Sequence, residues 1–333
     1  MSIRSFVPGA LGFGAAPLGN MFRAISEDDA TGTVEAAWDR GIRYFDTAPL
    51  YGAGLSEIRL GRVLAQHPRS DYVLSTKVGR VIADEAPTTT ASESGALFEH
   101  GRPNTVVDDY TESGTLRSIE DSLNRLQTDR LDIVWVHDVA QDFHGDQWLE
   151  VFEAARTGAF RALSRLRAEG VIRAWGLGVN RVEPCELTLD LEEPQPDAFL
   201  LAGRYTLLDH ERALQRLLPA AHQQDVDIVV GGPYSSGALV GGQHFEYRPA
   251  PPEILERVRR ITEVAESFGI GVKAAGLQFP LAHPAVAAVI PGSTRPGRID
   301  EDVAALQTTV PDEFWATLRE QGLISPEAPL PVR

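Results

Sequence analysis

The chain is poor in cysteine and short of positive charge. Cys185 is its one cysteine in 333 residues, which excludes an internal disulfide and fits a reducing compartment. Lysine and arginine number 31 against 47 aspartates and glutamates, for a net charge of −16. Nucleic acid and anionic membranes both need a basic footprint, so neither is expected as a partner. No run approaches the ~20 apolar residues of a membrane span. Residues 1–11 carry a single arginine and no long apolar core, so they do not read as a signal peptide. These absences leave a soluble cytoplasmic protein acting on a small molecule. They are silent on oligomeric state.

A hydrophobic content of 43% is ample for a large core. Short apolar runs alternate with longer amphipathic segments. Strands are expected at 11–14, 42–46, 72–76, 131–136, 172–179, 198–201, 226–230 and 286–290. Helices are expected at 28–40, 56–66 (capped by Ser56), 114–127, 148–169, 211–222, 253–267 and 296–307. The alternation makes eight βα units over one barrel's length. It favours a single (β/α)8 TIM barrel spanning residues 1–333, with long loops on its C-terminal face, over a doubly wound open sheet. Residues 80–112 break the rhythm and read equally as a substrate lid or a plain insertion. The tail at 325–333 holds three prolines and reads as an extended strap. Cys185 reads as structural.

The most informative stretch is Ile42 to Gly52, where an apolar run ends at Asp46 and Tyr51 follows in a loop marked by Pro49 and Gly52. A phenol titrates ordinarily near ~10 and needs help to exchange a proton at neutral pH. In a barrel the catalytic groups sit at strand ends. Lys77 follows the strand at 72–76, and His137 follows the one at 131–136. A buried lysine beside a tyrosine favours the phenolate, an aspartate holds the lysine charged, and a histidine can orient a reacting oxygen. Each residue alone has an ordinary structural explanation: a helix cap, a solvated lysine, a core histidine. Their convergence on successive strand ends favours the functional one.

The run Phe45-Asp46-Thr47-Ala48-Pro49-Leu50-Tyr51-Gly52, the Lys77 strand and the Val136-His137 strand end resemble the aldo-keto reductases, over most of the chain. The resemblance implies hydride transfer with a nicotinamide dinucleotide and a catalytic tetrad of Asp46, Tyr51, Lys77 and His137, with no metal. Asp109-Tyr110, Leu116 to Leu123, Val136-His137-Asp138 and Gly203 to Leu208 are similar to the aldose 1-dehydrogenase branch, which includes D-threo-aldose (L-fucose) dehydrogenases and pyridoxal 4-dehydrogenase. That branch oxidises cyclic hemiacetals to lactones, with Tyr51 as the base. The branch leaves an aldose at C1 as the first substrate expectation and pyridoxal as the alternative. A general carbonyl reductase, a non-enzymatic redox-sensing subunit and a metal-dependent hydrolase built on His137, Asp138 and His144 are weaker alternatives.

The same resemblance implies a cofactor site. Gly292, Ser293, Arg295, Arg298 and Asp302 match the region that holds the adenosine half, with Glu301 beside Asp302. Gly292 stands where many NADP-dependent members carry a lysine, which favours NAD; Arg295 and Arg298 keep NADP as the alternative. Gly232, Pro233, Ser235, Ser236 and Gly237 match a segment that wraps the pyrophosphate, against the alternative of an ordinary turn. Asn180 is the expected carboxamide contact. Gly231 and Ala202 replace the usual aromatic and glutamine of the nicotinamide pocket. Alternation from Leu200 would point Arg204 inward, towards cofactor, substrate or an acidic partner.

Overall fold

The computed structural model describes residues 2–83 and 97–331. Its strands are β1 (Phe13–Gly14), β2 (Tyr44–Asp46), β3 (Val73–Ile82), β4 (Val106–Asp109), β5 (Ile133–His137), β6 (Ala174–Val179), β7 (Ala198–Ala202), β8 (Asp227–Gly231), β9 (His244–Phe245), β10 (Arg248–Pro249) and β11 (Val286–Ile290). The α-helices are α1 (Glu27–Asp39), α2 (Leu55–Leu64), α3 (Glu112–Leu126), α4 (Gln141–His144), α5 (Trp148–Thr157), α6 (Ala159–Ala168), α7 (Glu183–Leu189), α8 (Glu211–Gln215), α9 (Leu217–Gln223), α10 (Pro252–Ser267), α11 (Val272–Leu281), α12 (Pro296–Gln307) and α13 (Asp312–Glu320).

Eight strands pair in parallel in the order β1-β2-β3-β5-β6-β7-β8-β11. The bridges Leu11–Val289 and Gly14–Gly292 join the last strand to the first, so the sheet closes into the expected barrel. The period-2 rule then sorts every strand residue. Tyr44, Val73, Ile133, Trp135, Ala174, Ala198, Leu200, Val229, Ala288 and Ile290 pack together as one buried cluster inside the barrel, which Ile3 and Val7 also join. Their neighbours Phe45, Leu74, Val134, Val136, Trp175, Leu177, Phe199, Leu201, Ile228, Val230 and Val289 join the outer core under the helices. Burial on both faces is why these strands read as unbroken apolar runs. The same parity carries inward from Tyr44 to Asp46, from Val73 through Ser75 to Lys77, and from Ile133 through Trp135 to His137.

Several expectations change. Helix α2 starts at Leu55 with Gly54 as its N-cap, and Ser56 is not a cap. The Ser56 hydroxyl is buried, donating to the Ala15 carbonyl and meeting Thr47 Oγ1 at 2.9 Å. The segment at 148–169 is two helices broken at Gly158, where a Cβ would lie 2.3 Å from the Tyr110 carbonyl. The helix expected at 211–222 likewise divides, at Arg216. Helices α11 and α13 and the β9–β10 hairpin are additional. The stretch 80–112 is not structureless at its ends: β3 runs on to Ile82 and pairs antiparallel with β4, forming an arm above the barrel rim. The middle of that stretch, 84–96, lies outside the described residues. Of the tail, 325–331 is described and lacks helix or strand, and Ser325 N donates to His210 Nε2 at 3.0 Å.

Candidate active site

Strand parity brings Asp46, Lys77 and His137 to the C-terminal end of the barrel interior, and the β2–α2 loop adds Tyr51. Lys77 Nζ donates to Asp46 Oδ2 at 2.6 Å and to the Thr47 carbonyl at 2.8 Å. Both side chains are buried, at 2% and 3% exposure. Asp46 Oδ1 accepts from Ser75 Oγ at 2.6 Å and from Trp135 Nε1 at 3.1 Å. Burial pushes the Asp46 carboxyl up, and these three donors pull it only part of the way back. Lys77 Nζ lies 4.7 Å from the centre of the Tyr51 ring, and the rings of Tyr51 and His137 meet edge to face at 5.8 Å. The four residues therefore form one contiguous group.

Burial holds His137 well below the ordinary imidazole range, with the positive charges of Lys77 and Arg80 acting in the same direction, so the ring is neutral at physiological pH. Tyr51 departs from expectation. Its phenol is pushed well above the usual range, first by burial and then by the Asp46 and Asp138 carboxylates. The expected lowering by Lys77 is absent from the free site because that ammonium is already paired with Asp46.

The loop around Tyr51 is built by close backbone approach. Gly52 has φ +64°, and a Cβ there would lie 2.4 Å from the Gly19 carbonyl oxygen. Residues 98–102 pack against it. Phe98 meets the Tyr51 ring at 5.7 Å, Arg102 N donates to the Gly52 carbonyl, and Asn20 Nδ2 donates to the His100 carbonyl. The far end of the 80–112 stretch thus forms one wall of the site.

The residues matched to a cofactor site fall on two linked parts of the same rim. Helix α12 opens after Gly292-Ser293-Thr294-Arg295. Arg23 and Arg298 both donate to Thr294 Oγ1, at 3.1 and 3.4 Å. No described carboxylate lies in an ion pair with Arg23, Arg295 or Arg298. A helix N-terminus carrying guanidinium groups outside any ion pair suits a phosphate. A Cβ at Gly292 would approach Pro17 Cγ to 2.8 Å, so a side chain at this position would require Pro17 to move. Ser293 Oγ donates to the Arg295 carbonyl. Asp302 is 2% exposed, and its Oδ1 accepts from Tyr234 and from Lys273, which also pairs with Glu301. Both acids matched to adenine contacts are therefore engaged within the protein.

The second part follows β8. Gly232, Ser235, Ser236 and Gly237 all have positive φ, and Pro233 is buried among them. The Ser235 hydroxyl meets Thr206 Oγ1 at 2.9 Å, while Ser236 Oγ accepts from the Tyr247 N–H. Asn180 makes only long side-chain contacts, 3.4 Å to the Tyr247 hydroxyl and 3.5 Å to Asp142. Arg204 lies beyond the end of β7, so the alternation argument does not reach it. Its guanidinium donates to the Asn180 carbonyl and pairs with Asp209 and Glu246. The sequence reading missed Arg23, Phe98, Tyr247 and the β9–β10 hairpin, where His244 stacks on Phe22 at 4.3 Å. Nothing in their local pattern marks them; each reaches the rim through a long-range contact.

The Aldo/keto reductase family model matches residues 10–322. The chain belongs to the aldo/keto reductase family. Pyridoxal 4-dehydrogenase of Microbacterium luteolum is 41% identical over 330 residues, covering 95% of this chain and 94% of the relative. D-threo-aldose 1-dehydrogenase of a Pseudomonas species is 37% identical over 326 residues, covering 95% and 94%. A glycerol dehydrogenase structure from Gluconobacter oxydans superposes with a TM-score of 0.69 at 22% identity, covering 97% of this chain and 93% of that one, which supports the fold alone. The protein is thus an oxidoreductase of the aldo-keto reductase type, from a family that works with nicotinamide cofactors. No described helix is long and apolar enough to cross a membrane. Among the described residues no group of three or more His, Cys, Asp or Glu side chains forms a metal-binding set, so His137, Asp138 and His144 do not assemble as ligands.

Proposed function

We propose that this aldo-keto reductase oxidises the hemiacetal carbon of a cyclic aldose, such as L-fucose or another D-threo-aldose, to a lactone with NAD. The observation that carries the proposal is the buried Lys77–Asp46 pair, with Lys77 Nζ held 4.7 Å from the centre of the Tyr51 ring and neutral His137 edge to face with that ring. Bound NAD would supply the hydride acceptor. The hemiacetal carbon loses a hydride, its hydroxyl loses a proton to Tyr51, and the carbon–oxygen double bond of the lactone forms. His137, being neutral, hydrogen-bonds the reacting oxygen without adding charge. Trp135 and Ser75 hold Asp46, and Asp46 holds Lys77 in place beneath the Tyr51 ring.

A base whose pKa is raised works only when positive charge arrives nearby. Tyr51 stays a phenol in the free site; it would act as a base only with the cofactor bound, where an oxidised nicotinamide would supply that charge. The tight approach of Gly292 to Pro17 favours NAD over NADP, and Arg23, Arg295 and Arg298 would hold the phosphates of a bound cofactor.

Pyridoxal is the second reading, favoured by the 41% identity to pyridoxal 4-dehydrogenase. It too closes to a hemiacetal, and the same residues apply. Initial rates with NAD and NADP over L-fucose, D-arabinose, other aldoses and pyridoxal decide between them. NADH formation from an aldose, with a rate that rises with pH, is expected. Tight NAD binding without turnover of any hemiacetal would sink the reading.

A further inference from the structure

Beside the tetrad lies a set of polar groups that hemiacetal oxidation does not employ. Asp138 follows His137 directly, is 2% exposed and has φ +51°. A non-glycine residue in the left-handed region persists where its surroundings impose it, and such residues cluster at functional sites. Here Asp138 N donates to the Gly178 carbonyl at 3.0 Å, and the Tyr110 hydroxyl donates to the His137 carbonyl at 2.8 Å. The turn sets Asp138 Oδ2 3.4 Å from His137 Nε2 and 3.7 Å from one terminal nitrogen of Arg80.

Arg80 stands on the β3–β4 arm, opposite Asp108 in the ladder. Its other terminal nitrogen donates to Asp108 Oδ1 at 2.8 Å, and the guanidinium packs over Phe143. One edge of Arg80 is thereby anchored, and the other faces Asp138 and the Tyr110 hydroxyl. Asp138 Oδ2, Arg80 Nε, the second Arg80 terminal nitrogen and His137 Nδ1 are all buried without a hydrogen-bond partner. Buried polar atoms are nearly always paired, so the unpartnered atoms that Asp138 and Arg80 turn towards each other mark a place built for a polar guest. A carboxylate and a guanidinium slightly too far apart to bond each other suit one hydroxyl, which donates to the first and accepts from the second.

We propose that Asp138 and Arg80 form a recognition pair for the hydroxyl on the carbon next to the hemiacetal carbon, selecting a 2-hydroxy aldose over its 2-deoxy counterpart. The proposal rests on the hemiacetal reading and deepens it. His137 links the two subsites: it orients the reacting oxygen, and the adjacent residue in the chain takes the neighbouring hydroxyl. The pair positions substrate and does not itself exchange the reacting proton.

The test compares L-fucose with 2-deoxy-L-fucose, by titration calorimetry on the NADH-loaded enzyme and by initial rates with NAD. The wild type is expected to favour the 2-hydroxy sugar by about 10–100-fold in Kd and kcat/KM, the range of a charged hydrogen bond. Asp138→Asn, which keeps shape and removes charge, should shrink that preference to within about threefold; Arg80→Lys, which keeps charge and removes the fork, should shrink it too. Equal binding of the two sugars by the wild type, binding of neither, or an unchanged preference in both variants overturns the proposal. Preferential binding without NADH formation leaves the recognition pair standing and removes the oxidation reading instead.

Discussion

Replacing Asp46 by asparagine tests the chemistry of the site through stability. The carboxylate serves three donors from two sides: Lys77 on Oδ2, and Ser75 with Trp135 on Oδ1. An asparagine of the same shape offers one oxygen and two N–H donors. With its oxygen towards Lys77, its amide faces Trp135 Nε1–H, which has no acceptor to offer. Flipped, the amide faces the Lys77 ammonium. Ser75 can turn its hydroxyl and Trp135 cannot, so one donor stays unsatisfied in either rotamer. Removing one member of a buried ion pair costs about 3–5 kcal/mol. At about 2.1 cal/mol/K per residue, 333 residues give an unfolding entropy near 0.7 kcal/mol/K, and the midpoint should fall by roughly 4–7 °C. Lys77→Met should cost less, because burial already pushes the Asp46 carboxyl up and it can shed its charge by taking a proton. The double variant should lose less than the two singles together, with a coupling of about 1–3 kcal/mol. Urea unfolding and scanning calorimetry without cofactor supply the cycle, since bound NAD would mask the loss by mass action. Additivity of the two single losses within about 0.5 kcal/mol would refute the buried-pair account.

Tyr51→Phe should cut turnover by about 10²–10⁴-fold, with the NAD dissociation constant nearly unchanged, as read by fluorescence titration and steady-state rates. Near-normal turnover would remove Tyr51 from its assigned role. Phe98→Ala should raise KM for the sugar several-fold while sparing NAD affinity, because Phe98 walls the Tyr51 side of the site at 5.7 Å; an equal loss of both would mark it as a folding residue. Asp138 carries a pH signature. Burial pushes its carboxyl up to about 7, against Arg80 and Lys77, which lower it, and with Asp142 and Asp108, which raise it. The folded state then holds a proton that the unfolded chain releases near pH ~4, so this group's contribution to stability falls as pH rises from about 4 to about 7 and is flat above. Asp138→Asn should flatten that part of the urea-midpoint profile, and an unaltered slope would contradict the raised carboxyl.

Much of the fold was readable because its signals are local. Alternating apolar runs and amphipathic segments announce strands and helices residue by residue, and α12 falls at 296–307 as the pattern indicates. Misreadings arose where a distant partner overrides the local pattern. Val106 and Val107 show no strand period, yet they extend the sheet because β3 lies alongside. Helix α11 is buried along Ala274 to Leu277 and shows no polar stripe to reveal it. Ser56 looks like a helix cap until the Ala15 carbonyl arrives from the first strand's loop.

The site divides in the same way. By itself the sequence nominates Asp46, Lys77 and His137 as the functional candidates, since they close three apolar runs that a barrel turns into strand ends on one rim; Tyr51 follows from the short loop that tethers it. Tertiary structure alone decides the electrostatics. Whether Lys77 lowers Tyr51 depends on where its charge is spent, and the 2.6 Å contact to Asp46 spends it there, leaving burial to push the phenol up. It alone also joins Asp138 to Arg80 across 58 residues of chain, because the β3–β4 arm folds back over the end of β5. Periodicity can place a side chain on a face, but the distance between two charges depends on how separate elements pack.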